Sequence, residues 1–167
     1  MTQREIEAVQ VVKQRRDAAL AQIVARVPYI QYMGVRFDRR GDELTAILEY
    51  SPKLIGNPSL PALHGGATGS FLEITAIIEL VWQTTWERME GGGAEAGETG
   101  ANVSSPFPRT IDITVDYLRP GLARDAYARA RVNRMGRRYA SVHVEAWQDN
   151  RARLFAQATG HFLVSQE

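Results

Sequence analysis

The chain has 167 residues, 44% hydrophobic and 23% charged, which suits one domain with one sizeable core. Its 20 basic and 19 acidic residues leave a net charge of +1, so the sequence lacks the electrostatic footprint of a binder of nucleic acid or of an anionic membrane. There is no cysteine, which excludes disulfide and thiol chemistry. The first residues, MTQREIEAVQVVKQRRDAAL, carry no apolar core of a secretory signal, and the expectation is a cytoplasmic protein. The longest apolar run, near Ile74–Trp82, is interrupted by Glu79 and is too short to span a bilayer.

Residues 3–26 read as an amphipathic helix, with Ile6, Val9, Val12, Ala19, Ile23 and Val24 on one stripe and Pro28 as its stop. Two strands follow, near Val35–Arg39 and Glu43–Tyr50, joined at Gly41-Asp42. In the second, Leu44, Ala46, Leu48 and Tyr50 face one way and Glu43, Thr45 and Glu49 the other, with Ile47 breaking the pattern. A Pro-rich turn at 57–61 precedes a strongly apolar helix, Ala67–Trp82, which Thr84–Glu90 can extend. Trp82 and Trp86, four residues apart, read as packing residues. Residues 91–105 (GGGAEAGETGANVSS) are low in complexity and read as a mobile loop inserted into a single domain spanning 1–167.

Four alternating strands complete the chain. They carry Ile111 to Tyr117, Ala126 to Val132, Ala140 to Ala146 and Leu154 to Val164, separated by turns at Pro120-Gly121, Met135-Gly136 and Asp149-Asn150. One face of these strands is rich in alanine, which lets a helix lie close against them. The order predicts an α+β domain, an antiparallel sheet wrapped around a buried helix.

His64-Gly65-Gly66 opens that helix. Two glycines at a helix start leave backbone N–H groups open to an anion or a polarised carbonyl. Nine residues after His64 comes Glu73, an acid in an apolar run, which is expensive unless used or paired. Together they point to a carbonyl-polarising site with a general base.

With Tyr117-Leu118-Arg119-Pro120 closing the next strand, this pattern resembles the hotdog-fold acyl-CoA thioesterases of the phenylacetate-degradation type, over roughly residues 30–165. The resemblance implies an obligate homodimer, often paired into a tetramer, that hydrolyses a coenzyme A thioester with no metal and no cofactor. It implies that Gly65 gives the oxyanion N–H, that Glu73 is general base or nucleophile, and that Thr110 orients water. Gly66 then borders the substrate, and His64 orients the turn. Many relatives have Asp where Glu73 stands, and most place an Asn six residues before the His. Here Pro58 holds that place and Asn57 lies one further back, where it is a candidate carbonyl donor. The N-terminal helix and the long connection at 84–109 are additions.

Helix geometry separates Gly65 from Glu73 by about 12 Å, too far to serve one carbonyl. Two antiparallel helices in a dimer can bring Gly65 of one copy to Glu73 of the other. Glu79 has polar company at helical spacing (Thr68, Thr75 and Gln83). Arg119, Arg137 and Arg138 are candidates for coenzyme A phosphates. The three histidines, at 64, 143 and 161, form no metal-ligand pattern. Two other readings are an enoyl-CoA hydratase-like enzyme on the same fold and a non-catalytic acyl-CoA-binding module.

Overall fold

The computed structural model describes residues 3–90 and 106–164. Helix α1 (Gln3–Ala25) opens the chain. Near its C-terminal end Ala19, Leu20 and Ile23 are buried, whereas Val9 and Val12 are 57% and 48% exposed. Pro28 stops α1 as expected, but it also starts a second helix, α2 (Pro28–Met33), that the sequence patterns do not predict. Proline is tolerated there because the first N–H of a helix has no intrahelical partner. Gly34, at φ 76°, ends α2 in the left-handed region.

Strands β1 (Val35–Arg40) and β2 (Glu43–Leu48) pair antiparallel around Gly41, whose φ is 63°. Leu44, Ala46 and Leu48 face the core as the alternation predicts, while Tyr50 lies past the strand and is exposed. A single 3-10 turn (Pro52–Leu54) leads into a small hairpin, β3 (Ile55–Asn57) and β4 (Ala62–Leu63), where a plain turn was expected. Helix α3 then runs Gly65–Glu90. The remaining strands are β5 (Arg109–Tyr117), β6 (Ala126–Met135), β7 (Tyr139–Trp147) and β8 (Ala156–Leu163). The low-complexity stretch 91–105 and the Trp86 side chain lie outside the described residues.

The main sheet has six antiparallel strands in the order β1-β2-β6-β7-β8-β5, and α3 packs against its inner face. This is the expected hotdog arrangement. The inner face of β6 to β8 is paved with Ala126, Ala128, Ala140, Ala146, Ala156 and Ala158, at most 1% exposed. Small side chains there let Phe71, Leu72, Ile78 and Leu80 of α3 be buried completely. Each such burial contributes about 1.5–3 kcal/mol. Gly160 continues the pavement because a Cβ would come within 2.8 Å of the buried Phe162 ring. Beside α3, α1 is held to β1 and its turn by Arg39–Asp17 (2.7 Å) and Arg16–Asp42 (3.0 Å).

The acid that this packing buries is Glu79, with Thr68 and Thr75 on the same stripe of α3. Burial raises its pKa from 4.5 to about 6, partly offset by the hydrogen bond donated from Gln83 Nε2 to Glu79 Oε1 (2.9 Å). Ionisation is therefore harder in the folded protein than in the unfolded chain. The stability this group contributes is whole below 4.5 and is lost as pH rises through about 6, a change of about 2 kcal/mol. Glu79→Gln should abolish that component. Urea midpoints for both proteins at acid and neutral pH should converge at the acid end and favour the variant at neutral pH.

Candidate active site

The turn before α3 is stitched on two sides. The His64 N–H donates to the Leu54 carbonyl (2.8 Å) and the Leu63 N–H to the Gly121 carbonyl (2.8 Å). The Asn57 Oδ1 accepts from the N–H groups of Ser59 (3.0 Å) and Leu60 (3.2 Å), a side-chain-capped turn. That oxygen thus works inside the turn, and Asn57 has a structural task that its candidacy as a carbonyl donor did not include. Gly56 is required: a Cβ there would lie 2.7 Å from His64 Cα and Cδ2. The His64 backbone and ring therefore pack directly on a bare stretch of main chain.

The His64 Nδ1 accepts the Gly66 N–H (2.9 Å). A nitrogen that accepts carries no proton, so the neutral ring holds its hydrogen on Nε2. Gly66, expected to border the substrate, gives its N–H to His64 instead. The Thr68 N–H goes to the His64 carbonyl (3.0 Å). Among the described residues the Gly65 N–H has no partner, so of the two glycine amides it is the one open to a ligand. Tyr117 Oη donates to the Gly65 carbonyl (2.8 Å) and pins this peptide to the end of β5. In the sequence Tyr117 is a motif residue only, since a tyrosine at a strand end carries no signal for this contact.

Glu73 is half-buried, unlike the buried Glu79. Both sit on α3, and phase separates them. Glu73 shares a face with Gly66, Ser70, Ile77 and Thr84, none of them fully buried in a single chain. Glu79 turns toward the sheet. Thr110 Oγ1 donates to Glu73 Oε1 at 2.6 Å, so the structure brings these two predicted residues together. A β-bulge makes that possible. Thr110 pairs with Phe162 and Asp112 with His161, leaving Ile111 as the extra residue. The bulge turns Thr110 toward the helix and leaves Ile111 exposed.

Gly65 and Glu73 lie eight positions apart on α3, about 12 Å along its axis. One chain does not bring them together. Arg119 follows β5 at its Gly65 end, whereas Arg137 and Arg138 occupy the β6–β7 turn, level with the opposite end of β5. All three are exposed. His161 pairs with Asp112 (2.8 Å) and stacks on Tyr139, on the sheet face away from α3. Among the described residues no cluster of His, Asp and Glu has the makings of a metal site, and no helix is long and apolar enough to cross a membrane.

The model of the acyl-CoA thioesterase N-terminal domain matches residues 58–163. The medium/long-chain acyl-CoA thioesterase YigI of Escherichia coli K12 is 27% identical over 142 residues, covering 84% of this chain and 88% of that protein. Among solved structures, a Chromobacterium violaceum protein is 34% identical with a TM-score of 0.60, covering 94% of this chain and 97% of its own. A phenylacetic acid degradation-related protein from Ralstonia eutropha shares the fold at 21% identity and a TM-score of 0.62, covering 87% of this chain and 98% of its own. The hydratase and non-catalytic readings give way to this family, and His64 meets a backbone N–H where a hydratase would need a carboxylate beside it. The family match contains the His64-Gly65-Gly66 turn, Glu73 and the Thr110 that grips it, and the chain belongs to the acyl-CoA thioesterase family, as a thioester hydrolase on a hotdog fold.

Proposed function

We propose that this thioesterase works as a symmetric homodimer, with Gly65 of one copy and Glu73 of the other acting on one thioester carbonyl. One observation carries the reading: β5 holds Gly65 through Tyr117 at one end and Glu73 through Thr110 at the other. β5 is also a sheet edge, and Ile111 and Tyr117 on it are more than half exposed. A long open edge is a template for pairing. Antiparallel pairing of two β5 edges about a two-fold axis sets the Tyr117 end of one beside the Thr110 end of the other. Gly65 then meets Glu73. The same operation brings Arg119 of one copy to the end of the joint sheet that carries Arg137 and Arg138 of the second, a basic rim for coenzyme A phosphates.

In that site the Gly65 N–H donates to the thioester oxygen, and more strongly to the oxyanion that forms from it. Glu73, one oxygen held by Thr110, takes a proton from water as the water attacks the carbonyl carbon. The Thr110 hydroxyl occupies one carboxylate oxygen of Glu73 and leaves the other free to take that proton. The C–S bond then breaks, and coenzyme A leaves as the thiol with the proton returned from Glu73. His64 is a positioning residue that acts through Gly66. The acyl group is of medium or long chain, the class named for the Escherichia coli relative. The half-buried Ile77, one turn beyond Glu73, offers such a chain an apolar surface.

Glu73→Gln is expected to lower kcat by about 100-fold or more, the usual scale for a general base, with folding retained. Gly65→Pro removes the oxyanion N–H at a helix position that suits proline, with a loss of about 100-fold. Dissociating and reassembling the two inactive variants together should restore about a quarter of wild-type thiol release, since each hybrid dimer regains one intact site. Absence of recovery in verified hybrids would sink the composite site.

Arg119→Ala and the Arg137/Arg138 double alanine variant should raise KM more than they lower kcat, because phosphate contacts bind substrate and transition state alike. The effect should fade on a truncated thioester lacking the nucleotide. Equal losses on full-length and truncated substrates reject the phosphate assignment.

A further inference from the structure

We propose that Tyr29 and Tyr32 of α2 form the wall of the acyl compartment and set the chain-length preference of the enzyme; this rests on the composite site proposed above. Tyr29 Oη donates to Ser70 Oγ at 3.4 Å. Ser70 is one helical turn before Glu73 and on the same face of α3, about 4.5 Å away along the axis. The Tyr29 and Tyr32 rings stack at 6.0 Å between centroids and 22° between planes, and they are 48% and 64% exposed. The opposite side of α2 is anchored in the core through Ile30 and Met33, so the helix is fixed while its aromatic side stays open. Lys53 holds the far end, with Nζ 4.3 Å over the Tyr32 ring and a hydrogen bond to the Tyr32 carbonyl.

Single exposed aromatics are ordinary on a protein surface. This pair differs in standing beside the reacting carboxylate, continuous with the open face of α3, and in being held from three sides. Its occupant follows from distance. The nucleotide of coenzyme A is separated from the thioester by the whole pantetheine arm, whereas Tyr29 lies within a helical turn of Glu73. The apolar group bonded directly to the reacting carbon is the acyl chain. Two aligned ring faces suit methylenes in sequence, Tyr29 nearer the carbonyl and Tyr32 further out.

The test is the ratio of kcat/KM for octanoyl-CoA over butyryl-CoA, with dodecanoyl-CoA as a longer probe. Tyr29→Ala should lower the octanoyl-to-butyryl ratio by about tenfold, the scale of removing two methylenes from an apolar wall. Tyr29→Phe keeps the ring without the hydroxyl and should stay within about threefold of the wild-type ratio. Tyr32→Ala should lower the dodecanoyl-to-butyryl ratio and move the octanoyl ratio less. If Tyr29→Ala does not fold, Tyr29→Trp asks the same question by narrowing the compartment, and the longer substrates should again lose most. An unchanged ratio in the folded variants overturns the proposal, as does an equal loss at every chain length. A Tyr29→Ala protein that becomes monomeric in light scattering also overturns it, by assigning the rings to the contact between copies. A wild-type protein inactive on every acyl-CoA would instead overturn the reading on which this one rests.

Discussion

Two hydrogen bonds from one strand to one helix organise the site: Tyr117 to the Gly65 carbonyl and Thr110 to the Glu73 carboxylate. A strand advances about 3.3 Å per residue and a helix about 1.5 Å. The seven steps from Thr110 to Tyr117 therefore outrun the eight from Gly65 to Glu73 by about a factor of two, and β5 crosses α3 obliquely. Contact at both ends needs a local correction, and the bulge at Ile111 supplies it by turning Thr110 inward. Gly65 and Glu73 are each held by the same strand and stay about 12 Å apart within one chain. The composite site proposed above therefore draws on the open edge of β5 and the open face of α3 together.

At the helix start the histidine takes up two of the first amides of α3. Gly56 lets the His64 ring settle against bare main chain, where Nδ1 takes the Gly66 N–H. The His64 carbonyl takes the Thr68 N–H. With these amides satisfied, the Gly65 N–H stays open in the proposed site, and Tyr117 fixes the peptide that follows it. A donor held in place before the reaction needs no reorganisation when charge appears, and this is where electrostatic stabilisation is most effective.

The contrast between Glu73 and Glu79 follows the same logic. The residues are chemically identical and lie six positions apart on one helix. Glu79 turns into the sheet, where burial favours its protonated form. Glu73 turns to the open face and accepts a hydrogen bond from the Thr110 hydroxyl. Phase on α3 therefore sorts one acid into the core and the other onto the open face, and α2 stands over that face through Tyr29 and Ser70.

Much of the architecture is legible in the residues themselves, because periodicity is local: the alternation in β2 and β5 to β8, the apolar run of α3 and the glycines at its start mark their elements directly. The alanine pavement and the His64-Gly65-Gly66 turn with Glu73 nine residues on point to fold and chemistry together. Other features had no local signal. Helix α2 was hidden because proline marks a helix start as readily as a stop, and Val9 and Val12 look like core residues until packing leaves them exposed. That Glu79 and not Glu73 is the buried acid depends on which face of α3 meets the sheet. That Gly66 serves His64, that Asn57 caps its own turn and that Thr110 reaches Glu73 across a bulge depend on segments distant in sequence closing on one another. Local pattern determines what each segment becomes; which atoms then touch is decided by strand register, helix phase and a single extra residue in β5, and these exist only once the sheet has wrapped the helix.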